Sequence, residues 1–109
     1  MLRHIQIESK EQYFDILKKN NTIGFVKMYA TWCGPCNTMS KELERYSLPI
    51  PVNLYEIDID KVSELAVEYK IRNIPALLVV TAEGKQIDLL LGYKDVNVFE
   101  SLVTKHLDK

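Results

Sequence analysis

"YATWCGPCN", residues 29–37, sets two cysteines three positions apart, with Trp32 in front and Gly34 and Pro35 between them. Cys33 and Cys36 are the only two cysteines in the chain. The stretch just before them, "TIGFVKMYA" at 22–30, is nearly continuously apolar, the pattern of a strand buried on both faces. After them, Met39, Leu43 and Tyr46 recur at i, i+4 and i+7, which predicts a helix from about Gly34 to Tyr46, stopped by "LPIP". The cysteines therefore stand where a buried strand turns into a helix. In an open α/β sheet, ligand chemistry gathers at that carboxyl end of the strands.

The flanking sequence extends the same alternation. "HIQI" at 4–7 reads as a short strand. Ser9 is placed to cap a helix with Gln12 as its capping-box partner; Tyr13, Phe14, Ile16 and Leu17 form the apolar stripe and "KKNN" ends it. "VNLYEIDI" at 52–59 is a strand, and Asp60 is placed to cap a helix carrying Val62, Leu65, Ala66 and Tyr69 inward. "PALLVV" at 75–80 is a buried strand, "AEGK" a hairpin turn using Gly84, and "QIDLLLG" at 86–92 the partner strand. Asp95 is placed to cap a last helix, with Phe99, Leu102 and Val103 inward. The order β-α-β-α-β-α-β-β-α predicts an α/β fold of three layers, α/β/α, with a central mixed sheet: a parallel sheet whose terminal hairpin adds an antiparallel edge.

A length of 109 residues predicts a single domain over 1–109, and a hydrophobic fraction of 47% supplies one core without a disulfide. Charged residues at 27% and a net charge of -1 give no reason to invoke nucleic acid or an anionic membrane. "MLRHIQIESK" lacks the apolar run of a signal peptide, and no segment is apolar for about 18 residues. The expected compartment is the cytoplasm, where structural disulfides are rare. A bridge across three residues also restrains the unfolded chain little, so a structural staple is a poor reading. A zinc site needs more ligands; His4 and His106 stand near opposite ends without metal-like spacing, and no metal is expected, although two chains could pool four cysteines. Asp58 and Asp60 are a thin basis for a cation site.

A reactive dithiol remains. Residues i and i+3 of a helix have Cβ atoms about 5–6 Å apart, close to the separation a disulfide needs, so the pair can close with a small adjustment. Cys33, at the helix N-terminus, is expected to be the attacking thiolate. Cys36, one turn in, is expected to be more buried and to resolve the mixed disulfide. Pro35 suits the first helical turn, and Gly34 lets a substrate backbone approach.

These residues resemble the thioredoxin family: "YATWCGPC" is similar to its active-site stretch, "IRNIPALLVV" to the segment carrying its cis-proline, and "EGK" and "LLGY" fall at family-like distances. The resemblance covers essentially the whole chain. It implies the thioredoxin fold and a protein-disulfide reductase without a cofactor of its own, monomeric and cytoplasmic. Its implied partners are proteins carrying disulfides and a thioredoxin reductase that recharges the pair. It implies a cis bond at Ile74–Pro75, with Ile74 pairing to an extended substrate segment, and a docking surface of Trp32, Gly34, Pro35, Ile74, Pro75, Gly92 and Tyr93. Gly92 also reads as a simple bulge, which is compatible with docking.

The chain departs from the family at four positions. Lys27 replaces the buried Asp six residues before the first cysteine, Glu56 replaces the Lys of the third strand, Lys41 replaces the proline that bends the active-site helix, and Asn37 replaces a common Lys. A charge at Lys27 is out of place in a strand buried on both faces. The first two departures are expected to be one event, a charge-reversed ion pair between Lys27 and Glu56 beneath Cys36, with Glu56 as proton acceptor. The plainer alternative has Lys27 snorkelling to solvent. Two other functional classes stay open: an oxidant or isomerase, which would want a more oxidising pair, and a binding module whose thiols are incidental.

Overall fold

A computed structural model describes residues 1–107. Its elements in chain order are β1 (Leu2–Gln6), α1 (Lys10–Asn20), β2 (Gly24–Tyr29), α2 (Gly34–Arg45), β3 (Val52–Asp58), α3 (Ser63–Glu68), β4 (Ala76–Val80), β5 (Gln86–Leu91) and α4 (Val96–Leu107). The strands form one mixed sheet in the order β1-β3-β2-β4-β5.

Alternation along each strand divides the core. Phe25, Leu54, Leu77 and Val79 pack against Met39 and Leu43 of α2 and Phe99, Leu102 and Val103 of α4. Val26, Met28, Tyr55, Ile57 and Leu78 pack against Tyr13 and Leu17 of α1 and Leu65 of α3. Two helices per face complete the expected three layers.

The helix ends follow local chemistry. Ser9 Oγ accepts from the Gln12 amide at 3.1 Å, and Gln12 reaches back to the Glu8 amide at 2.6 Å. Asn21 closes α1 in the left-handed region at φ 49°, its amide donating to Leu17. Asp95 caps α4 through the Val98 amide at 3.0 Å. Gly84 turns the β4–β5 hairpin at φ +84°.

Two expectations are corrected. Asp60 does not cap the third helix. Asp58 Oδ1 accepts the Asp60 amide at 2.9 Å, and the Lys61 and Val62 amides turn back to the Asp58 carbonyl, so the helix begins only at Ser63 and has no side-chain cap. The antiparallel pairing also begins inside the sheet, because β4 runs antiparallel to β2 while β1, β3 and β2 run parallel. Ala76 pairs with Met28, so β4 starts at the pole where β2 ends, which brings Pro75 to the cysteines. At the opposite pole the Met1 amino group donates to the Leu48 and Ile50 carbonyls, and Leu107 lies by Pro51 and Val52.

An ion-pair cluster ties α4 to the edge strand. Asp88 Oδ2 accepts from His106 Nε2 at 2.8 Å and from Lys105 Nζ at 3.2 Å. The His106 hydrogen bond, helped by the Leu89 amide and Lys105, pulls the Asp88 carboxyl down from 3.8 to about 2. The folded state therefore binds its proton less tightly than the unfolded chain. The resulting stability is complete above the unfolded carboxyl's range and is lost as pH falls from about 4 towards 2. Urea midpoints measured over that window should fall more steeply for the parent than for Asp88→Asn.

Candidate functional site

β2 ends at Tyr29, and Ala30–Trp32 turn the chain into α2, with the Cys33 amide donating to the Ala30 carbonyl at 3.2 Å. Asn37 braces this turn through Nδ2 to the Thr31 carbonyl at 3.1 Å. Cys33 is the N-cap of α2, with extended backbone and Pro35 in the first turn. Its Sγ accepts the Cys36 amide at 3.2 Å, in the way a serine or aspartate oxygen caps a helix. No acidic residue occupies that first turn, so nothing there opposes an anion on the sulfur.

Cys33 and Cys36 are joined in a disulfide, with Cα atoms 5.2 Å apart. Cys33 is 7% exposed and Cys36 is fully buried, so the outer sulfur faces approach and the inner one does not. Ile74–Pro75 is a cis bond, and the Ile74 carbonyl oxygen lies 4.0 Å from Cys33 Sγ. Gly92 donates its amide to the Pro75 carbonyl at 2.8 Å from a backbone at φ +87°, a conformation that only glycine adopts readily. Gly92 is therefore a requirement of that turn; the register irregularity of the hairpin lies elsewhere, at Val79/Val80. A Cβ added at Gly34 would meet nothing within 4 Å, so its missing side chain serves the outer surface and no internal packing.

Two large side chains of the expected docking set are exposed. Trp32 is 69% exposed, yet its Nε1 donates to Asp60 Oδ2 at 2.9 Å, which fixes the indole. Tyr93 is exposed and its hydroxyl donates to Glu42 of α2, whose carboxylate raises the phenol's pKa. Cys33, Ile74, Pro75 and Gly92 are thus linked backbone to sulfur at one pole, with Gly34 and Pro35 opening α2 beside them, whereas the Tyr93 side chain turns along α2 to Glu42.

Lys27 is 1% exposed. It lies in register with Glu56 across β2 and β3, and its Nζ is 3.1 Å from Glu56 Oε1. The same ammonium donates to Ser40 Oγ of α2 at 2.5 Å and lies 5.3 Å from the centroid of the Tyr29 ring. Ser40 follows Cys36 by one helical turn, and Tyr29 packs on the Cys33–Cys36 cluster, so both of these partners of the ammonium adjoin the disulfide. The second Glu56 oxygen, Oε2, pairs with His4 Nδ1 of β1. Lys27 does not snorkel; its length is spent inside the protein.

Sequence reasoning missed His4, Ser40 and Glu42, and gave Asp60 a different task. The readable signal for Ser40 was a polar residue at i+4 from Cys36 beside the buried stripe Met39–Leu43. His4 and His106 go to separate acidic partners, Glu56 and Asp88, on different strands.

Comparison with known proteins supplies the family. The family model for thioredoxin matches residues 4–105. The chain is 34% identical over 106 residues to the thioredoxin of Coprinus comatus, covering 94% of this chain and 98% of that protein. It is 29% identical over 103 residues to the thioredoxin of Chlamydia trachomatis serovar D, with the same coverage of 94% and 98%. Among solved structures, the thioredoxin of Malassezia sympodialis superposes with a TM-score of 0.82 at 28% identity, covering 97% of this chain and 95% of that one.

Proposed function

The chain belongs to the thioredoxin family and is a protein-disulfide oxidoreductase, and from that premise we propose that it runs in the reducing direction, as a single-domain, monomeric carrier of the cytoplasm. The Cys33 thiolate attacks one sulfur of a target disulfide. The target S–S bond breaks, the other target sulfur leaves as a thiolate, and Cys33 is held in a mixed disulfide. Cys36, deprotonated, attacks Cys33 Sγ; the Cys33–Cys36 bond forms and the second target thiolate leaves. A thioredoxin reductase returns two electrons to the pair, which needs no cofactor of its own.

The observation that carries this reading is the asymmetry of the two sulfurs. One caps a helix and faces outward, receiving an amide hydrogen bond that favours its anion; the other is sealed. Trp32, Ile74, Pro75, Gly92 and Tyr93 form the platform for an extended target segment, with the Ile74 backbone free to pair as an added strand does. Lys27 and Glu56 are the active-site support. The ammonium favours the Cys36 thiolate, and Glu56 accepts its proton through water.

Equilibration against glutathione tests the direction. The expected potential lies in the range thioredoxin itself occupies, about −270 mV, and not near the value of about −180 mV for protein disulfide isomerase. Reduction of insulin in the presence of NADPH and a thioredoxin reductase should follow. A potential near the isomerase value, with no insulin reduction, rejects the reductase assignment.

A further inference from the structure

Glu56 is held at both oxygens, one by Lys27 and one by His4, and the three residues come from adjacent strands β2, β3 and β1. Exposure rises outward along this chain. The Lys27 side chain is 1% exposed, that of Glu56 15% and that of His4 29%. The network therefore runs from Ser40, one helical turn past Cys36, through Lys27 and Glu56 to an imidazole that meets water.

We infer that His4 is a positioning residue for the resolving step: its ring holds the Glu56 carboxylate on Lys27 and passes the Cys36 proton on to solvent. This rests on the reductase reading and deepens it. When Cys36 attacks Cys33 Sγ, the thiol proton must leave a site that is closed to water. Lys27, charged and tied to Ser40 and Glu56, has donors but no acceptor. Glu56 can accept, but it must give the proton up again before the next turnover. Nδ1 is the His4 nitrogen that faces Glu56. In the tautomer with its hydrogen on Nε2, Nδ1 takes the proton from Glu56 while Nε2 gives one up to water, which leaves Nδ1–H donating to the restored carboxylate. The cysteine sulfur keeps the electron pair and forms the new S–S bond; the proton ends in solvent, and the target leaves as a thiolate.

The groups facing Glu56 are few. From β1 come His4 and the Gln6 amide on the Glu56 carbonyl; from β2 comes Lys27, itself bonded to Ser40 of α2; and Tyr29 of β2 feels the charges of Glu56, Asp58 and Glu8 together. A protonated His4 has two opposing effects. It makes Glu56 a poorer acceptor, and it adds positive charge that favours the Cys36 thiolate. The first acts at hydrogen-bond distance and the second from two strands away, so the first is the larger.

Rapid mixing of the reduced protein with one equivalent of an aromatic disulfide that releases a coloured thiolate separates the steps. The first release reports attack by Cys33 and the second reports resolution by Cys36. The parent's second phase should slow through an inflection as pH falls, because a relay that must accept a proton is blocked once it already carries one. His4→Gln keeps an N–H donor for Glu56 but cannot exchange a proton. It should slow the second phase about tenfold at the alkaline end, below the 10²–10⁴ of a direct proton-transfer group, and should remove the inflection. The first phase should be unchanged. A His4→Gln second phase matching the parent in rate and pH profile overturns the inference, and so does uniform slowing with the inflection kept, the mark of a purely structural role. A parent that shows a first release and no second overturns the reductase reading instead.

Discussion

Cys33→Ser is expected to lower disulfide reduction on the order of 10³-fold or more, to the background of the assay, while leaving the fold intact. The reason is the chemistry of one atom. A serine oxygen in the N-cap position still accepts the Cys36 amide, so α2 keeps its cap. An alcohol is not ionised near neutral pH as a thiolate is, and it is a poor nucleophile towards sulfur. The companion Cys36→Ser variant should fail differently. Its Cys33 still attacks, but nothing resolves the product, so it should accumulate as a mixed disulfide visible as a mass increase on non-reducing electrophoresis. A binding module with incidental thiols would trap nothing and hold its partners equally well in either variant. That outcome would falsify the two-cysteine mechanism.

Glu56→Ala should cost about 2–3 kcal/mol of folding stability, whereas Lys27→Met should stay within about 1.5 kcal/mol of the parent. Both remove one member of the same ion pair, and the difference lies in what is left behind. Without Glu56, the Lys27 ammonium is stranded at 1% exposure with Ser40 and the Tyr29 ring as its remaining partners. Breaking a fully buried pair costs about 3–5 kcal/mol, and the partial opening of Glu56 to solvent reduces that. Without Lys27, Glu56 keeps His4 and some water, and methionine fills the apolar volume the lysine stem occupied. Function should invert the order of interest. Lys27→Met, though stable, loses the charge whose partners adjoin the disulfide, so its rate of disulfide reduction against pH should depart from the parent's. Urea denaturation of both variants and the pH profile of Lys27→Met check the pair of claims. Equal stability losses would overturn the stranded-charge argument, and a superimposable pH profile would remove Lys27 from the active-site support.

The redox pair was legible because every signal for it is local. A buried strand, a proline in the first helical turn and two cysteines one turn apart all sit within twenty residues. Ser9 and Asp95 were legible as caps for the same reason, since each bonds an amide three residues on. Asp60 has the same residue type and failed as a cap. Its own amide is taken by Asp58 and its carboxylate by Trp32, 28 residues away, a competition that no local pattern displays. Strand direction was hidden too. "PALLVV" reads as buried whichever way it runs, and its direction appears only in the pairing of Ala76 with Met28. Lys27 was conspicuous as a charge in an apolar strand, but His4, 52 residues from Glu56, became a partner only when β1 and β3 lay side by side.

The start of β4 beside the end of β2 gathers the sulfurs and the Ile74–Pro75 and Gly92 turns at one pole, while Met1 and Leu107 lie at the other. A passenger fused at either flank, or an electrode or resin linked there by a short spacer, would hang from the back of the molecule and leave the reactive face turned outward. Insulin reduction by an immobilised preparation of that kind should match the free protein's, whereas coupling through lysines near Trp32 or Tyr93 should block it.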